Sequence, residues 1–118
     1  MLSIEGPNEN QVLTVTAEGK LVKDDYTRLL PDLEKLLAEH GKLRFYIKLE
    51  HFSGFEMGAL WEDIKFDRKH MHQYGKTAIV GDKKWEEWGT KISALFFSVE
   101  MRFFYQDQAQ EAWDWVNG

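Results

Sequence analysis

The chain predicts an α/β domain, with a mainly parallel five-stranded sheet and four helices in the order ββαβαβαβα. Three observations lead there. Short strand-like apolar runs alternate with segments whose apolar residues recur every three or four positions; Thr77 to Val80 passes through Gly81 and Asp82 straight into a helical pattern from Lys83; and the first two strand-like runs are split by a dense turn signal. Alternating strands and helices of this length imply right-handed crossovers between parallel strands, so only the N-terminal strand is expected to run antiparallel. The 118 residues, 43% of them hydrophobic, make one domain over residues 1–118. A domain of this size buries roughly two-thirds of its unfolded surface, enough for a core without staples.

The elements follow in order. Leu2 and Ile4 alternate with polar residues, Pro7 to Asn10 is a turn, and Val12, Leu13 and Val15 resume an extended pattern closed by Gly19 and Lys20, together a hairpin. Asp24 or Asp25 opens a helix that repeats Tyr26, Leu29, Leu30, Leu33, Leu36 and Leu37 at helical steps and stops at His40 and Gly41. Pro31 lies inside it and removes one backbone hydrogen bond, which predicts a kink or a restart. Leu43 to Leu49 is a strand with Phe45, Ile47 and Leu49 on one face. Ser53, Gly54, Phe55 and Glu56 match a capping box, opening a helix that buries Met57, Leu60, Trp61, Ile64 and Met71 and ends at Gly75. Thr77 to Val80 is the next strand, followed by a helix from Lys83 with Trp85, Trp88, Ile92 and Leu95 on one face. A last strand, Met101 to Tyr105, precedes a helix capped by Asp107 that buries Ala109, Ala112, Trp113 and Val116.

Composition excludes several classes of function. With no cysteine there are no disulfides, no thiolate metal sites and no thiol catalysis. Fifteen Lys and Arg against twenty Asp and Glu give a net charge of −5, with the basic residues scattered, which argues against a nucleic-acid partner. No basic region followed by a long apolar run opens the chain, and no apolar stretch reaches the roughly 20 residues that span a bilayer. A soluble, cytoplasmic protein without stable membrane insertion is the expectation.

That element order, with Gly58 to Asp63, the Gly81 to Trp85 turn, the aromatic strand Arg102, Phe103, Phe104, Tyr105 and the helical Ala112 to Trp115, resembles the SpoIIAA-like proteins of the STAS domain group. Their fold is also related to the CRAL-TRIO lipid-transfer domain. The resemblance covers essentially the whole chain and implies a βα superhelical fold and a regulatory or interaction role, not an enzymatic one. It also implies the alternative of a carrier for a lipid or other hydrophobic ligand. STAS antagonists of sigma-factor inhibitors are switched by phosphorylation of a serine at the start of the helix after the third strand. The matching position here falls near Met57, which has no hydroxyl, and Ser53 lies four residues earlier as a candidate phosphosite.

Candidate functional residues gather where parallel strands end, the usual binding edge of an open α/β sheet. One loop is His51, Phe52, Ser53, Gly54 and Phe55; the other is Gly81, Asp82, Lys83, Lys84 and Trp85. Free helix-start amides and lysines there suit a partner protein or a small anionic or apolar ligand, with Trp85 as a wall. Each residue also has a purely structural reading: Ser53, Asp82 and Asp107 as caps, Trp85 as core. A catalytic reading rests on His51 with Asp82 or Asp107 as the one acid/base pairing, and no catalytic residue or cofactor is assigned. His70 and His72 point about 200° apart on a helix and cannot share a metal. Asp63, Asp67 and His70 share a face, but Lys65, Arg68 and Lys69 interleave with them, so the face reads as salt-bridged and no metal is expected. The stripe Trp88, Ile92, Leu95, Phe96 and Phe97 is a candidate homodimer interface, since five Trp and eight Phe are a heavy load for so small a core.

Overall fold

The N-terminal hairpin sets the edge of the sheet. Strand β1 (Leu2–Glu5) pairs antiparallel with β2 (Val12–Leu21), and β3 (Leu43–Phe55), β4 (Tyr74–Gly81) and β5 (Met101–Tyr105) follow in parallel, in the spatial order β1-β2-β3-β4-β5. The computed structural model describes the backbone of residues 1–85 and 100–118. Within these, three α-helices accompany the sheet rather than the four expected: α1 (Lys23–His40), α2 (Met57–His70) and α3 (Ala109–Asn117). The helix expected from Lys83 begins as a 3-10 turn, Lys83–Trp85. Its continuation, with Trp88, Ile92, Leu95, Phe96 and Phe97, lies outside the described residues.

Alternation along the strands sorts side chains onto two faces. Leu13, Phe45 and Leu43 meet Leu29, Leu33 and Leu37 of α1, with Phe66 of α2 packed against the same cluster. Val12, Tyr46, Ala78, Val80 and Phe104 point the other way, onto Ala112 and Val116 of α3. The sheet is thus the shared wall of two cores, with α1 and α2 on one side and α3 on the other.

Several boundaries differ from the sequence reading, each for a physical reason. Helix α1 starts at Lys23, because the Asp25 carboxylate reaches back 2.8 Å to accept the Val22 amide and so satisfies a helix-start donor. It passes Pro31 as one continuous element, held by Leu29, Leu33 and Leu37, and neither stops nor restarts there. Gly41 ends it as expected, at φ 76° with its amide on the Leu37 carbonyl. Helix α2 ends at His70, followed by a 3-10 turn Met71–Gln73, and Gly75 belongs to β4 instead of closing the helix. Its Cα lies under the Arg44 side chain, where a Cβ would come to 3.2 Å of Cγ. Met57, expected inside, is 81% exposed because it stands at the first position of α2, ahead of the helix's contact with the sheet. The side chains of Leu60, Trp61, Ile64 and Met71 lie outside the described residues.

At the opposite end of the sheet, α3 closes the molecule. Arg44 donates from one guanidinium nitrogen to the carbonyls of Val116 (3.1 Å) and Gly118 (2.8 Å), and the Lys76 ammonium lies 3.3 Å from the Trp115 carbonyl. Cations therefore meet the negative end of the helix dipole.

Candidate functional site

The site grows out of the last third of β3. The apolar residues Phe45, Ile47, Leu49, Phe52 and Phe55 are spaced two, two, three and three apart, so strict alternation would turn Phe52 away from the α1 core, and one extra residue ahead of it would by itself turn Phe55 away. Two bulges prevent this. Glu18 pairs with Glu50, Gly19 with Phe52, Lys20 with Gly54 and Leu21 with Phe55, leaving His51 and Ser53 as the extra residues. Each bulge resets the parity by one, and Phe52 and Phe55 stay with Ala17, Leu21 and Tyr26. His51 takes φ 48°, a left-handed conformation that histidine tolerates better than most side chains, and Gly54 takes φ 125°, which glycine alone adopts readily.

The strand therefore runs six residues beyond Leu49, and Ser53 is part of it. Ser53 is exposed and lies four positions before α2 begins, so the expected capping box is not formed and the helix amides are not at its hydroxyl. The backbone turn is instead closed by the Glu56 amide on the Leu21 carbonyl, at 2.8 Å.

The second loop comes from β4. Gly81 sits where a Cβ would meet Leu49 Cδ1 at 3.0 Å and Phe103 at 3.3 Å, so the strand end closes tightly on its neighbours. The chain then turns, with the Trp85 amide donating to the Asp82 carbonyl at 2.9 Å. This delivers the indole edge-on to Phe52, with ring centroids 4.8 Å apart at 63°, while Phe52 meets Phe55 at 5.2 Å and 76°. A Cβ on Gly54 would lie 3.6 Å from the Trp85 ring. Lys84 holds its ammonium 5.7 Å from the centre of the same ring, and Asp82, Lys83 and Lys84 are exposed. The structure thus brings the two sequence-nominated loops into one cluster, floored by Phe52 and rimmed by Phe55 and Trp85.

A third strand end braces it. Gln106 donates from Nε2 to the Leu49 carbonyl at 3.0 Å, where the bulged tail begins. Asp107 does not cap the last helix as expected: it lies in the 3-10 turn Gln106–Gln108, whose start is capped by Gln108 accepting the Tyr105 amide at 2.9 Å, and α3 follows directly from Gln108 without a side-chain cap of its own. Glutamine's longer side chain reaches across that extra turn. No hydrogen bond among the described residues joins His51 to Asp82 or Asp107. His70 lies far along α2, stacked on Phe66, and the Asp63 and Asp67 side chains lie outside the described residues. Among the described residues no three His, Asp or Glu side chains gather as a metal requires.

Sequence reasoning missed Met57 as a surface residue and Gln106 as a brace. The first had a signal: Phe55 already satisfies the apolar face of the strand, leaving Met57 surplus. The second, a side chain to backbone bond between residues far apart in sequence, had none.

A βα sheet of this order, with one antiparallel edge strand and paired loops at its parallel strand ends, places the chain in the SpoIIAA-like family, whose profile matches residues 12–117. The chain is similar to an uncharacterized DUF3478-family protein with a SpoIIAA-like fold from Shewanella loihica PV-4, with a TM-score of 0.81 and 30% identity over 98% of this chain and 92% of that one. It shares its fold with the anti-sigma factor antagonist SpoIIAA in its unphosphorylated form, at a TM-score of 0.66 and 12% identity over 100% and 99% of the two chains. The phosphorylated Bacillus SpoIIAA gives 0.60 and 9% over 94% and 97%. No curated protein matches the sequence.

Proposed function

We propose that the chain is a non-enzymatic interaction module that binds a partner protein through Phe55, Met57 and Trp85. The observation that supports this is the doubly bulged end of β3, which spends two extra residues to hold Phe52 and Phe55 against Trp85 and delivers the 81% exposed Met57 immediately after them. An apolar side chain left outward beside an aromatic pair, on a braced frame, is what a small hot spot needs. The fold is that of a protein whose function is antagonism of another protein, an anti-sigma factor, which favours a macromolecular partner over a small ligand. Ser53, exposed on the same tail, is the hydroxyl through which phosphate would reach this surface.

The test is affinity capture in the native host with the wild-type chain, Met57→Lys, Trp85→Ala and, as a control on the exposed side of α1, Asp32→Ala. A partner held by wild type and Asp32→Ala, and bound at least about tenfold more weakly by Met57→Lys and Trp85→Ala with unfolding midpoints retained for Met57→Lys, supports the reading. Equal capture by all four, or a co-purifying species that Met57→Lys leaves in place, removes it. Sedimentation of wild type and Met57→Lys shows whether the partner is a second copy.

A further inference from the structure

At the far end of α2, His70 is 8% exposed and sits between two polar side chains, Gln73 and Glu34. The Gln73 amide is fixed by donating its Nε2 to two carbonyls at the end of α1, Leu37 at 3.1 Å and Gly41 at 2.8 Å. Its oxygen is thereby turned toward His70 Nδ1, 2.9 Å away. An amide oxygen only accepts, so Nδ1 carries a proton. The other ring nitrogen, Nε2, is buried without a hydrogen bond and lies 3.7 Å from the Glu34 carboxylate on α1. In the neutral ring Nε2 is a lone pair facing a carboxylate oxygen; in the imidazolium it is a donor facing its natural acceptor.

From this geometry we infer that His70 is a protonation-operated clasp between α1 and α2, closed when the ring is doubly protonated and paired with Glu34. The charged neighbours among the described residues are Glu34, from α1, and Lys69, from α2 itself, whose ammonium lies 3.5 Å from the same Glu34 oxygen. The turn and the end of α1 contribute only uncharged groups, the Gln73 amide and the two carbonyls. Imidazole is the side chain whose ordinary charge change falls between about pH 5 and 8, so the His70 part of the pairing is the part that switches. Helix α2 begins at Met57, so the clasp governs how firmly the helix carrying one edge of the proposed interaction surface is docked. The inference stands on the His70 geometry alone and does not depend on that surface.

The experiment is a double-mutant cycle of Glu34→Gln and His70→Gln, read by urea unfolding at pH 5.5 and pH 8.5, with Lys69→Met as a control. Glu34→Gln is expected to lower the folding equilibrium constant about fivefold more at pH 5.5 than at pH 8.5, in the presence of His70 only. Lys69→Met should cost the same at both. Imidazole nitrogen chemical shifts give a second readout that needs no substitution: the neutral ring should be protonated at Nδ1. An equal cost of Glu34→Gln at both pH values, or a neutral ring protonated at Nε2, overturns the clasp. If His70→Gln does not fold, the Glu34→Gln comparison and the nitrogen shifts still decide.

Discussion

Tyr46 shows how one side chain ties a strand to a helix and to pH. Its ring packs edge-on against Trp113, with centroids 5.1 Å apart, and its hydroxyl donates to the Ala109 carbonyl at 3.2 Å, at the first residue of α3. Burial raises its pKa from the ordinary 10.0, because the phenolate would lose its water. The folded chain therefore holds this proton more tightly than the unfolded one. That contribution is fully present below about pH 10 and is lost as pH rises through the folded value. Tyr46→Phe is expected to cost about 1 kcal/mol at neutral pH and to flatten the alkaline fall in stability, measured by urea unfolding from pH 8 to 11. Gly81 is a second residue with a definite expectation. A methyl group there meets the Leu49 and Phe103 side chains on the sheet face, so Gly81→Ala should destabilise by about 1–3 kcal/mol, read from the shift in the unfolding midpoint.

Elements reveal what the sequence could and could not disclose. Helix α1 was legible because six leucine and tyrosine positions repeat at one period, strong enough that Pro31 does not interrupt it. The end of β3 was not. Apolar steps of three from Leu49 to Phe52 to Phe55 resemble the beginning of a helix as much as a bulged strand, and the choice is made by β2, whose Gly19, Lys20 and Leu21 continue the pairing. Ser53 was misplaced for the same reason: its cap pattern is local, whereas the strand pairing that overrides it is not. The two loops named from the sequence do lie side by side, since parallel strand ends converge by topology. Deleting His51 is expected to abolish folding, because it throws Phe52 out of register with its core, whereas His51→Gly should stabilise by up to about 1 kcal/mol by relieving the left-handed backbone. Circular dichroism and urea titration of the two variants separate these outcomes. At the other end, Arg44→Ala should cost about 1 kcal/mol or more and expose the last turn of α3 to hydrogen exchange, since two carbonyls lose their donor.

The whole molecule is one sheet serving two cores, and neither core is independent of the other. Leu13 and Val12 are adjacent residues of β2, yet one belongs to the α1 side and the other to the α3 side. Leu37→Ala on one side should therefore weaken the entire fold by about 2–5 kcal/mol, with tryptophan fluorescence and circular dichroism still reporting a single coincident transition. No helix among the described residues is long and apolar enough to cross a membrane.

The double bulge separates two design problems that most binding loops must solve together. Because His51 and Ser53 are extra to the pairing register, the frame depends on their being present and hardly at all on what they are, provided the first tolerates a left-handed backbone. They are two freely addressable letters written into an otherwise committed strand. A library with Asn, Asp, Gly or His at 51 and any residue at 53 should keep the fold throughout, and so would let selection retune what this surface recognises without first having to rescue the domain beneath it.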